Sequence, residues 1–286
     1  MNIGTSFTKQ LLAVAMLAGT TAVAQAAVVP SWAWQNEAGF VSYTESVAGT
    51  VDATGSTPVF GWFTRLTWPK ENPAFQSNLH VSGTGSMSGS GGTAAVTNGG
   101  PTFGVNLTHD NFPLQPTPGG DLLTAVLRDK LWLSPNPGPA FPSQPGDPVI
   151  PPLQFEIHFA ETPNQGNGGI CADGTSRLLD PMNAAGCADL FGVQNASAFV
   201  QQFVYDGQTY QITISAVGLG PQSNTFCAAL SLNPGCVGFR TAENQSSDLN
   251  PFFTIITIDV PEPSILALLG AGLAGLGFSR RRSVKA

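Results

Sequence analysis

Basic residues are scarce in this chain. Eleven Lys and Arg stand against eighteen Asp and Glu in 286 residues. Five of those eleven (Lys9, Arg280, Arg281, Arg282 and Lys285) crowd into the two ends. Between Glu37 and Glu262 six bases meet eighteen acids, a net charge of −12 against −7 for the whole chain. A surface so poor in Lys and Arg cannot neutralise a row of phosphates, which excludes nucleic acid as a partner. Histidine is equally rare: His80, His109 and His158 are the whole supply. No G-x-S-x-G elbow, H-E-x-x-H pair, phosphate-binding glycine loop or dinucleotide fingerprint occurs. The expectation is a protein without catalytic residues, cofactor or metal. Helical periodicity is weak, and no internal repeat of 20–50 residues is visible.

Long hydrophobic runs are also missing, and the two short ones lie at the ends. Lys9 precedes an apolar stretch from Leu11 to Ala24, and Ala24-Gln25-Ala26 has the form of a signal-peptidase site. Residues 1–26 therefore read as a secretory signal peptide, with signal peptidase and the Sec export machinery as implied partners. The other run closes the chain: Pro261-Glu262-Pro263, fourteen uncharged residues from Ile265 to Phe278, then Arg280, Arg281 and Arg282. A fourteen-residue helix rises only about 21 Å, short of a roughly 30 Å hydrocarbon core. The arginines hold such a tail on the cytoplasmic side. This order of parts resembles the PEP-CTERM sorting signal of exopolysaccharide-making Gram-negative bacteria. The resemblance implies a short transmembrane sorting helix at 261–286, transient membrane insertion and cleavage near Pro-Glu-Pro by an exosortase-type membrane protease. Its expected destination is the cell envelope, cell surface or extracellular matrix.

Four cysteines, Cys171, Cys187, Cys227 and Cys236, lie in a chain read as exported, so two disulfides are expected. Their spacing does not match paired C-x-x-C zinc knuckles. Pairing in sequence order, Cys171 with Cys187 and Cys227 with Cys236, closes two short Gly-, Asn- and Pro-containing loops and is topologically undemanding.

Strand signals fill the middle, residues 27–260. Leu153, Phe155, Ile157 and Phe159 alternate with Gln154, Glu156 and His158, the pattern of a half-buried strand. Phe60, Trp62, Leu66 and Trp68 read as one face of another. Asp206-Gly207 between Val204 and Tyr210 is a type I′ hairpin signal. Asp121–Leu133 reads as a strand, Phe252–Val260 as the last one. The segment 82–100 reads as a loop or hairpin, and the Pro-rich 134–152 as a semi-extended surface loop. Thirty-three glycines and twenty-three prolines between these runs fit the turns of an all-β domain. The predicted architecture is a single two-sheet β-sandwich of jelly-roll kind.

The chemistry-bearing residues are few. Thr108-His109-Asp110-Asn111 ends at Pro113 and reads as turn chemistry, with His109 structural and tying neighbouring strands together. Glu161 and Asn164 close the alternating strand, and Glu243 follows the last cysteine. These carboxylates can gather with His109 or Asp110 into a cation site of hard oxygen ligands. Thr108, His109 and Asn111 are also the eponymous residues of the THxN group of PEP-CTERM proteins. The resemblance extends through Phe159–Asn164, the Cys187-Ala188-Asp189-Leu190-Phe191 run and Cys236–Glu243, and it implies no activity. The expected function is a non-catalytic surface or matrix protein, with exopolysaccharide as its expected partner. The alternatives are a polysaccharide hydrolase using paired carboxylates from Glu161, Glu243 and Asp110, and a cation-dependent adhesion module.

Overall fold

A computed structural model describes residues 27–70, 76–83, 86–87, 93–112, 120–135, 145–194, 199–258, 270 and 272–273. The expected signal peptide and nearly all of the sorting tail lie outside the described residues. The same holds for 136–144 of the Pro-rich segment.

The chain is mostly β. Its strands are β1 (Ser31–Glu45), β2 (Asp52–Thr54), β3 (Arg65–Trp68), β4 (Ser77–Ser82), β5 (Ser86–Met87) and β6 (Ala95–Val96). Next come β7 (Thr102–Phe103), β8 (Asn106–Asn111), β9 (Leu122–Ser134), β10 (Leu153–Ala160) and β11 (Asp189–Val193). The remainder are β12 (Val200–Tyr205), β13 (Gln208–Ala216), β14 (Gly220–Pro221), β15 (Val237–Thr241), β16 (Gln245–Asp248) and β17 (Pro251–Ile258). A short helix, α1 (Asn224–Ala229), is capped by the Ser223 hydroxyl, which accepts from the Phe226 amide at 3.1 Å. At the β12–β13 turn Asp206 and Gly207 take φ of 47° and 78°, the two positive angles that a type I′ turn requires.

The compact β body spans 29–205 and 209–257 and is built in two layers. The first is a long sheet in the order β14-β15-β11-β10-β9-β1-β5, with β6 also on β1. Its longest strands, β1 and β9, are fifteen and thirteen residues long and pair antiparallel. Side chains alternate along a strand, so Trp32, Trp34, Asn36, Ala38 and Phe40 all point to one face of β1. That face is covered by two other sheets, β12-β13-β17-β7 over one half and β16-β8-β4-β3-β2 over the other. Trp32, Trp34, Leu131 and Leu133 pack with Phe203, Tyr210, Ile212, Phe253 and Ile255 of the first. Ala38, Phe40, Ala125 and Ile157 pack with Leu66, Trp68, Leu79 and Leu107 of the second.

Two sheets were expected and three are present, because the covering layer breaks across its middle. β7 and β8 follow each other along one direction and pair with β17 and β16, but the ladder is interrupted between them. On one strand the interruption falls at Gly104 and Val105, on the other at Asn250, which has a φ of 46°. Beneath the break lies Asn36, 3% exposed, which donates to the Asp129 carboxylate at 2.8 Å and accepts from the Val105 amide at 2.9 Å. A Cβ at position 104 would stand 2.8 Å from the Asn36 Oδ1, so glycine is required there. A polar pair thus divides one apolar interior into two cores. Burial pushes the Asp129 carboxyl up to about 6 despite the Asn36 hydrogen bond.

One strand reading needs correction. Leu66 and Trp68 lie in the core, but Phe60 and Trp62 belong to a loop on the opposite face of β1. A tight turn causes this: the Trp62 amide donates to the Thr57 hydroxyl at 3.0 Å, the Gly61 amide donates to the Thr57 carbonyl at 3.1 Å, and Gly61 takes φ of 66°. Phe60 stacks on Trp62 at 4.5 Å and on Trp132 at 5.9 Å. The Glu37 carboxylate, fully buried, holds the amides of Val59 and Phe60.

Candidate functional site

The four cysteines pair in sequence order, Cys171 with Cys187 and Cys227 with Cys236. The second bridge closes a small core of its own with Leu190, Phe226, Leu230 and Leu232. The first closes the irregular loop that follows β10. Arg240 on β15 ties that loop down through Asp173 at 3.1 Å and Asp180 at 2.7 Å. Arg177, within the loop, donates to the carbonyls of Asn164 and Asn183 at 2.9 and 2.7 Å.

Where the loop meets the ends of β10, β11 and β15, three acids converge. Glu161, Asp189 and Glu243 place one oxygen each within 4.8 Å of one another. Asp189 is fully buried and Glu243 is 1% exposed, while Glu161 keeps a partial opening to solvent. The Asp189 Oδ1 accepts from the Thr162 amide at 2.9 Å, and the Thr162 hydroxyl donates to the carbonyls of Cys187 and Ala188. The Trp68 indole lies 3.4 Å from the Glu161 carboxylate. Gly186 forms part of the wall: a Cβ there would stand 2.1 Å from the Asn164 Oδ1 and 2.6 Å from the Glu243 Cγ. Asn164 and Glu243 therefore face the same spot.

Burial dominates the electrostatics of this cluster. Loss of water pushes the Glu161 carboxyl up to about 8, with the Glu243 charge adding to the rise. Glu243 rises to about 7 through burial. Asp189 also lies well above the carboxylate range, from burial first and the Glu161 charge next. Three carboxylates so close in a dry site cannot all be ionised without a compensating positive charge. Such a site can share protons or hold a cation.

The Thr108–Asn111 segment is a strand, not the turn expected from its polar side chains. β8 pairs with β4 on one side and β16 on the other, and ladder hydrogen bonds on both edges override local turn chemistry. Alternation then divides the motif. Thr108 faces outward and donates to Asp248 at 2.5 Å, and Asp110 is beside His80 at 3.7 Å. His109 and Asn111 face inward and are fully buried. The His109 Nδ1 meets the Thr241 hydroxyl at 2.8 Å, and its ring stacks on Trp68 at 5.6 Å against Phe159 and Phe191. Burial lowers its pKa to about 3, so the ring is neutral. Asn111 donates to the Thr241 carbonyl at 3.1 Å.

Of the expected cation ligands, Glu161, Asn164 and Glu243 do converge. Asp110 does not, because it points to the opposite side of β8, and Trp68 stands between His109 and the acids. Asp189 was missed as a member. The signal was an acid opening a run, Asp189-Leu190-Phe191-Gly192-Val193, in which every residue is buried. Such a charge needs partners.

Residues 259–282 match the PEP-CTERM protein-sorting motif. A β-rich body stapled by two disulfides thus precedes a signal for export and membrane-anchored sorting to the cell envelope. The motif makes this an exosortase-sorted exported protein. No curated protein matches the chain.

Proposed function

We propose that residues 27–260 form a non-catalytic component of the cell surface or exopolysaccharide matrix. The sorting motif at 259–282 is the observation that carries this reading. Residues 1–26 act as the signal peptide, and residues 261–286 hold the chain in the inner membrane until an exosortase-type protease releases it. The resemblance of the Thr108–Asn111 segment and of the runs around Cys187 and Cys236 supports a place in the THxN group. Repeated passage of the chain between the two layers supports a jelly-roll-like sandwich.

The acid cluster supports a non-catalytic role. A glycosidase needs its two carboxylates open to a sugar ring. Asp189 and Glu243 are closed off, and Asp110 lies elsewhere. Association with glycan is supported by Phe60, 43% exposed, a ring held flat by Trp62 and Trp132 on the outer face of the long sheet. Fractionation of cells with and without their exosortase tests the proposal. Surface protein lacking the residues beyond the Pro-Glu-Pro, and inner-membrane retention without the exosortase, is the expected pair of results. Surface protein that still ends at Ala286 overturns it.

A further inference from the structure

We propose that Glu161, Asp189, Glu243 and Asn164 form a calcium site at the disulfide-closed end of the body. Acids alone do not make a site, and a second observation points to a ligand. Seven buried side-chain N and O atoms lack a hydrogen-bond partner among the described residues. Four of them belong to the acid cluster: both Glu243 oxygens, the Asp189 Oδ2 and the Asn164 Oδ1. Glu243 is 1% exposed, neither of its oxygens has a hydrogen-bond partner, and one of them lies within 4.8 Å of an oxygen of Asp189 and of Glu161. Buried polar groups are otherwise almost always satisfied, so such a concentration of acceptor oxygens calls for a ligand that takes their lone pairs. That ligand is a cation.

The donor set selects the cation. All four ligands are oxygens, and no cysteine or histidine is among them, which disfavours zinc and other metals that prefer nitrogen or sulfur. Oxygens within 4.8 Å of one another can share one ion at the 2.3–2.6 Å reach of calcium. Magnesium demands a tighter octahedron and gives up its waters reluctantly, which suits this dry site poorly. Gly186 keeps the wall back, and the partial exposure of Glu161 leaves a route from solvent. The Cys171–Cys187 bridge and the Arg177 and Arg240 contacts hold Asn164 in place, so binding orders little that is not ordered already.

Trp68 provides the test. Its indole is 3.4 Å from Glu161, close enough to sensitise a lanthanide bound among the acids. Terbium added to the purified, EDTA-treated full chain should emit on tryptophan excitation, and calcium should displace it while magnesium at equal concentration does not. Calcium should also raise the melting temperature. Glu243→Gln and Asp189→Asn, which preserve shape, should abolish the emission while the chain still melts cooperatively. Absence of both emission and melting shift means that the acids share protons only, and overturns the site. Emission that survives in both variants places the ion elsewhere and overturns it equally.

Discussion

His109 shows how one side chain can be central to a fold without being its chemistry. The ring is fully buried among Trp68, Phe159 and Phe191 and has one polar contact, to Thr241. His109→Ala removes an aromatic-sized volume and leaves the buried Thr241 hydroxyl without a partner, so it should cost about 3 kcal/mol or more. The pH dependence has a definite sign. The folded chain refuses a proton until about pH 3, whereas an unfolded histidine takes one near 6.5. Below pH 6.5 the unfolded state therefore binds more protons, and stability is lost as pH falls toward 3, by up to about 1.4 kcal/mol per pH unit. His109→Phe keeps the ring and removes the proton, so chemical denaturation at pH 7 and pH 4 should show a smaller difference for the variant than for the wild type. An unchanged difference would refute a buried neutral imidazole. The location of His109 in a strand was not legible from sequence, because Thr, Asp and Asn side chains favour turns locally and only the two neighbouring ladders override them.

At the scale of elements, the sequence pattern shows the strands well and their grouping poorly. The alternation of Leu153 to Phe159 becomes β10, and Asp121–Leu133 becomes most of β9. The division of the covering layer was hidden, because it depends on Gly104 meeting Pro251 across the layer and Asn36 beneath it. Nothing local announces that meeting. Gly104→Ala should overpack the junction against the Asn36 Oδ1 and cost about 1–3 kcal/mol, measured by thermal or denaturant unfolding. A neutral result would mean that the two halves of the layer are not held apart at this point. The first disulfide makes a second prediction at this scale. It spans 16 residues, and a loop of that length is worth about 3 kcal/mol in the chain-entropy account. Cys171→Ser with Cys187→Ser should therefore lower the melting temperature. It should weaken calcium binding as well, because Thr162 and Asn164 both hydrogen-bond to Cys187. Loss of the second bridge should loosen the small core at Cys227–Cys236 and leave the acid cluster its ligands.

For the molecule as a whole, destination was readable in one continuous segment, whereas the candidate site is not continuous at all. Residues 261–286 carry their signal in sequence order, but Glu161, Asp189 and Glu243 come from three strand ends that meet only once the long sheet has formed. The charge distribution sharpens what the tail must do. The chain from Glu37 to Glu262 carries −12, so the body has no excess of Lys and Arg to fix an orientation in the membrane. Orientation depends on Lys and Arg near the apolar segment far more than on acids. Arg280, Arg281 and Arg282 supply nearly all of that signal at this end. Replacing the three by Ala should leave the fourteen-residue apolar run without a cytoplasmic stop and let it slip through the membrane. The variant should then be exported but neither retained nor processed, and mass spectrometry should find it outside the cell with an intact C-terminus. If it is cut and displayed as efficiently as the wild type, sorting rests on the Pro-Glu-Pro and the apolar run alone.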